Sequence, residues 1–303
     1  MHVVADWRAQ GAQVCKSDFF GGGSFQPSGT ISAASYNCTM TAEEKYLFDL
    51  RGYLVVRGAL SAGLLGRLNE TIDELEALGD DQVAARGAPR HYARSDVYAQ
   101  VGPAARDGLR DYGCPVLPLG GVFEELIDLP TTLPQIENMV AEPCRLDAAS
   151  FMSRHNRGAF RFHHGGAELL PYSEYAVADG RFACVSVKIS YALTDVGVED
   201  GCFAVIPGSH KSNFTNPLVG EVPDPNHPLV AALPCRAGDA VLFTEDLSHG
   251  AVENRGSRVR RTLFYSYAPA FHCTWMDQGI AADDFEQRAT PRRRELLMGS
   301  RPY

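Results

Sequence analysis

The sequence has no basic excess: 28 Lys and Arg stand against 37 Asp and Glu, for a formal net charge of −9. That balance argues against a broad surface for a nucleic-acid polymer, which needs a basic stripe, although it permits a local pocket for an anion. There is no run near eighteen apolar residues, and the first residues, MHVVADWRAQ, contain no apolar signal core. Neither a membrane span nor secretion is therefore expected, and the expected location is the cytoplasm. The eight cysteines (15, 38, 114, 144, 184, 202, 235, 273) form no CxxC pair, which reads as scattered reduced thiols and not as a zinc site or disulfide framework. Internal repeats are absent too.

What is present is an ordinary globular composition, 45% hydrophobic and 21% charged over 303 residues, enough for a substantial core. Residues 18–36 are Gly- and Ser-rich without a period, so 1–40 is expected to be a loose arm. Thr41 with Glu44 makes a capping box for a short helix that ends at Arg51-Gly52, and Tyr53 to Val56 is a short strand. Ser61 caps a second helix whose Leu64, Leu65, Leu68, Ile72, Leu75 and Leu78 make one apolar stripe. Residues 79–120 carry no clear order. Beyond about 145 the texture turns to β, with candidate strands at 159–164, 182–193, 202–206, 240–243 and 260–268 separated by Gly, Pro, Asp and Asn. Short strands without intervening helices predict an antiparallel sandwich or barrel carrying a helical N-terminal layer, all one domain. Its parts are an arm (1–40), a helical layer with inserts (41–144), a β core (145–270) and a C-terminal extension (271–303).

Nine histidines are present, and most read as surface or satisfied core residues. His210, in a Pro-Gly turn, reads as structural. His164 and His249 stand apart by setting. In FRFHH, alternation puts Phe160, Phe162 and His164 on one face and Arg161 and His163 on the other, so His164 is expected to face inward before Gly165-Gly166. His249 follows DAVLFTEDLS at the end of a strand. Two imidazoles at the mouths of two strands can share a metal, and spacing alone leaves that reading level with a structural one.

The stretches YALTDVGVEDGCFAVIPGSHKSNF, AGDAVLFTEDLSHG and RRTLFYSY, with FDLRGYLVVRGALS before them, resemble the phytanoyl-CoA dioxygenase family of iron(II)/2-oxoglutarate oxygenases over residues 41–80 and 145–269. The resemblance implies a mainly β fold with α elements, a double-stranded β-helix of the jelly-roll or cupin kind. It also implies a metal site built from His-x-Asp and a distant His. The matching positions are His164, Gly166 and His249, or His163 and Gly165 if the register moves by one, and in both registers the carboxylate is missing. Such a pattern is similar to the iron/2-oxoglutarate halogenases, in which Gly or Ala leaves a position for chloride. The implied cofactors are Fe(II), 2-oxoglutarate, O2 and chloride. Glu168, Glu245 or Asp246 could instead supply a displaced carboxylate, giving a hydroxylase, and a third possibility is a binding protein that kept the fold and lost the chemistry.

The family's 2-oxoglutarate arginine falls eleven residues after the distal histidine, at Arg260, with Arg261 the alternative if the strand register slips. Lys188, a charge inside the apolar run CVSVKISYAL, faces either the pocket or solvent. Arg154, Arg157 and Arg161 suggest an anion clamp, while Tyr172 and Tyr175 could stack on a planar group. The expected substrate is a small free-standing metabolite, a nucleotide or other anionic molecule.

Overall fold

The structure, a computed structural model, describes residues 40–92, 111–140, 143–155, 158–164, 175–272 and 284–298. Residues 1–39 of the expected arm, with Arg157, Gly165, Gly166, Glu168 and Tyr172, lie outside the described residues.

The chain begins with α1 (Ala42–Arg51), β1 (Tyr53–Val56), α2 (Ala62–Glu76), α3 (Asp80–Ala84), β2 (His91–Tyr92), β3 (Tyr112–Pro115) and α4 (Leu133–Met139). It continues through β4 (Cys144–Arg154), β5 (Phe160–His163), β6 (Val177–Ala178), β7 (Arg181–Phe182), β8 (Val187–Ala192), β9 (Phe203–Val205) and β10 (Ala231–Leu233). It closes with β11 (Ala240–Thr244), β12 (His249–Ala251), β13 (Arg260–Pro269), α5 (Phe285–Arg288) and α6 (Pro291–Met298). Among the described residues, no helix is long and apolar enough to cross a membrane.

The caps read from sequence govern the first helices. The Thr41 side chain accepts from the Glu44 N–H at 3.1 Å, and the Glu44 carboxylate accepts from the Thr41 N–H at 2.7 Å. α1 stops at Gly52, whose φ of 81° is left-handed. A Cβ there would lie 2.6 Å from His210 Nδ1, so the turn needs glycine for space as well as for φ. Ser61 caps α2, and Leu64, Leu68, Ile72 and Leu75 are buried along one stripe. Leu68 and Ile72 are fully buried, each contributing about 1.5–3 kcal/mol relative to exposure.

Two antiparallel sheets face each other. The larger has the order β1-β11-β8-β13-β4-β3-β2, the smaller β10-β9-β12-β5. This is the two-sheet architecture of a double-stranded β-helix, mainly β with a helical layer. On β13, alternation separates two environments. Leu263, Tyr265 and Tyr267 join the core that also holds Leu64, Leu68 and Ile72 of α2. Arg260, Phe264 and Ser266 line a cavity between the sheets.

Strand β4 is absent from the sequence expectation, which names Arg154 only as part of an anion clamp. It pairs with β13 from Cys144↔Pro269 to Arg154↔Arg260. Its sequence CRLDAASFMSR hides the strand because polar residues mark its cavity face.

Candidate functional site

The cavity has a volume of about 440 Å³, within the range of small-molecule sites. His163 and His249 lie in its wall as cross-strand partners, with ring centroids 4.1 Å apart. His163 thus stands in the cavity wall where the sequence reading expects His164. β5 pairs with β12 through His163↔His249 and Phe160↔Ala251, three steps on one strand against two on the other. The extra residue is a bulge, and it breaks the alternation on which the sequence reading depends. Phe160 and His163 therefore share the cavity face, ring centroids 4.7 Å apart. Phe162 turns away into a core cluster with Val196, Ala204 and Val252. His164 is half-buried and outside the cavity lining.

The two imidazoles suit a metal. The His163 Nδ1 hydrogen-bonds Arg161 O at 3.0 Å, and the His249 Nδ1 hydrogen-bonds Leu247 O at 2.7 Å. A carbonyl only accepts, so Nδ1 carries the proton on each ring and Nε2 holds the lone pair that a metal takes. Burial pushes the His163 pKa below its ordinary value, against the raising effect of the Arg161 carbonyl. Burial, aided by the potentials of His163 and Lys188, takes His249 well below. Both rings thus stay neutral at neutral pH.

Close packing fixes this pair. His249 opens β12, which pairs with both β5 and β9. A Cβ on Gly250 would lie 2.5 Å from Phe160 O, so glycine is what lets β5 approach. Phe243 and Phe203 hold the His249 ring from the sheet side, with centroids at 4.7 and 5.7 Å.

Arg260 lines the cavity and is buried. Its Nη1 donates to Gly201 O at 2.6 Å and its Nε to Thr262 Oγ1 at 3.2 Å, which aims the guanidinium. Burial, with Arg154 beside it, draws its pKa down to about 9. Arg261 faces the other way and pairs with Asp73 at 2.7 Å and with Glu76, both on α2. Arg154 also lines the cavity, its guanidinium 4.7 Å from the Phe160 ring centroid. Lys188 lines it as well, at 2.7 Å from the Glu245 carboxylate.

Two expected substrate residues lie elsewhere. Arg161 is half-buried outside the cavity lining and donates to Gly220 O at 2.7 Å. Tyr175 belongs to the packing around α1: its hydroxyl donates to Asp49 at 2.6 Å and its ring stands edge-on to His210. Of the carboxylates proposed as substitutes, Asp246 accepts from the Tyr175 N–H at 2.5 Å. Sequence reasoning missed Phe264, Ser266 and Ser186 as lining residues. The pattern Arg260, Thr262, Phe264, Ser266 on every second residue of RRTLFYSY is the signal that could have found the first two.

The paired sheets, the histidines at their facing strands and the buried arginine define a double-stranded β-helix with a two-histidine site. The chain belongs to the phytanoyl-CoA dioxygenase (PhyH) family, whose model matches residues 48–262. It is similar to dioxygenase olcK of Penicillium canescens, 32% identical over 117 residues, covering 39% of this chain and 36% of the relative. A phytanoyl-CoA dioxygenase of Arabidopsis thaliana is 27% identical over 135 residues, covering 41% and 45%. The chain thus spans less than half the length of these curated relatives. Among solved structures, HygX from Streptomyces hygroscopicus with nickel, 2-oxoglutarate and hygromycin B bound aligns with a TM-score of 0.60 at 24% identity, over 83% of this chain and 95% of that one. The epimerase SnoN from nogalamycin biosynthesis aligns with a TM-score of 0.52 at 21% identity, over 75% and 82%. These likenesses concern the fold.

Proposed function

We propose that the protein is an iron(II)- and 2-oxoglutarate-dependent enzyme that uses O2 to chlorinate an unactivated carbon of a small anionic metabolite, a nucleotide being one such molecule. The observation that carries the reading is the His163–His249 pair followed by glycine where the family places aspartate. With His163 as ligand, that residue is Gly165 and not Gly166.

His163 and His249 would hold the metal through Nε2, and Arg260 would take the distal carboxylate of 2-oxoglutarate in a bidentate pair. When bound, iron with 2-oxoglutarate and oxygen supplies the oxidising power to remove a hydrogen atom from an unactivated carbon, and chloride in the third protein position supplies the halogen. A glycine leaves room for that anion. The protein's own work is to keep both imidazoles neutral, to neutralise the carboxylate in a dry pocket and to hold the target carbon. Phe160, Phe203, Phe243 and Phe264 make the cavity wall apolar, which strengthens every charged contact within it. Arg154 offers a second cation for an anionic substrate.

The test is turnover of a library of nucleotides, phosphorylated sugars and carboxylates with Fe(II), 2-oxoglutarate and O2, with and without chloride, read by mass spectrometry. Chlorinated product in chloride supports the reading. A hydroxylated product indifferent to chloride supports the hydroxylase chemistry suggested by family membership, and a site that never consumes 2-oxoglutarate with any compound would indicate a binding protein.

A further inference from the structure

Glu245 lines the same cavity as the histidine pair and follows β11, four residues before His249. Its backbone N–H donates to Ser186 O at 3.1 Å, which fixes where the side chain leaves the chain. The side chain is only 9% exposed, and its Oε2 lies 2.7 Å from Lys188 Nζ. Glu245, Lys188, His163 and His249 thus all line one cavity.

A two-histidine iron site ordinarily takes one carboxylate, and Glu245 is the described carboxylate of this cavity wall that neighbours His249 in sequence. Its partner is unusual. Lys188 sits in VKISYA, with Phe243 of β11 and Ser266 of β13 as its cross-strand neighbours, a half-buried strand position where a charge is uncommon unless paired. At 2.7 Å and with the carboxylate buried, the ammonium and the carboxylate favour each other over separation. Among the described residues, no group of three or more His, Cys, Asp or Glu side chains gathers where a metal could be held. Asp147, the other described carboxylate on the cavity wall, pairs with Arg145 at 3.0 Å.

We infer that Lys188 is a positioning residue that keeps Glu245 off the two-histidine metal position, leaving the third protein position to an anion from solution. This rests on the reading of His163 and His249 as metal ligands. The lysine does not touch the reacting atoms in this role. It acts by holding a carboxylate that would otherwise compete with chloride.

The experiment uses the full chain and cobalt(II) as the probe, without 2-oxoglutarate. Affinity is measured by calorimetry and the ligand field by visible absorption during a chloride titration. Wild type is expected to change its spectrum with chloride. Lys188→Met and Lys188→Gln should bind cobalt more tightly, by roughly the 10- to 100-fold that groups around metal ligands govern, and should lose the chloride response. Lys188→Arg should behave as wild type, and Lys188→Met/Glu245→Gln should return to it. Thermal melts identify any variant that fails to fold, and the methionine and glutamine variants provide independent routes to the same lost charge. Equal or weaker cobalt binding in folded Lys188 variants overturns the inference while leaving the histidine site intact. A loss of affinity in Glu245→Gln alone shows that Glu245 already ligates, which also overturns it. Unchanged binding in both His163→Ala and His249→Ala would instead refute the metal site on which it rests.

Discussion

Arg260 and Arg154 are cross-strand partners on β13 and β4, two guanidiniums side by side in the wall of one cavity. Burial, with the Arg154 charge beside it, draws Arg260 down to about 9. Arg260→Ala should raise the 2-oxoglutarate requirement steeply, since removing one member of a buried ion pair costs on the order of 3–5 kcal/mol. Arg261→Ala should leave that requirement unchanged and lower thermal stability by on the order of 1 kcal/mol through its lost ties to α2. Steady-state kinetics over 2-oxoglutarate, with a melt of each variant, checks both. The reverse assignment of effects would mean that the co-substrate binds elsewhere.

The bulge in β5 gives a second expectation. His163→Ala should abolish binding of a divalent transition metal, as should His249→Ala, whereas His164→Ala should retain it. Equilibrium dialysis against cobalt decides. Retention by His163→Ala with loss in His164→Ala would restore the simple alternation.

That residue shows where the sequence was legible and where it was not. Capping is local chemistry, so Thr41, Glu44 and Ser61 announced their helices within a few residues. Leu64, Leu68 and Ile72 announced the buried face of α2 by period. The facing of Arg260 away from Arg261 followed from ordinary strand alternation. The bulge could not be read this way, because nothing in FRFHH distinguishes a regular strand from one that gains a residue against β12. The extra residue is specified by the partner strand, through the close approach at Gly250. β4 was hidden for a related reason: its cavity-lining residues mix Asp147, Ala148, Ser150, Met152 and Arg154, which blurs the apolar alternation. The Lys188–Glu245 pair joins residues 57 positions apart, a relation only the sheet reveals.

Gly52 offers a test of the frame. Gly52→Ala must hold a left-handed φ and press a methyl into the His210 ring, so it should cost about 1–3 kcal/mol in a denaturant melt. An unchanged melt would show that the α1–β1 turn relaxes freely.

Stability of the metal-free protein should depend on pH in a definite sense. His210 is drawn by burial from an ordinary value of 6.5 to about 4, and burial also lowers His163 and His249. In the unfolded chain these rings take up protons below about 6.5 while the folded rings resist. Their neutral burial therefore costs nothing above that pH, and stability falls as pH drops from about 6.5 towards 4. Urea melts across that window should show the loss, and His210→Gln, which keeps a donor for Asp49 O, should flatten it. Stability that rises with acid would contradict the neutral state of the rings.

On the proposed reading no protein carboxylate ligates a metal at His163 and His249, and chloride takes that place. The most direct measurement is the mass of the product formed by the wild-type enzyme from a substrate that triggers 2-oxoglutarate consumption, in saturating chloride and in its absence. The account predicts a product in which one chlorine has replaced one hydrogen, recognisable by its isotope pattern, with bromide giving the bromo analogue. A product that carries only an added oxygen, in the same yield at every chloride concentration, would contradict it.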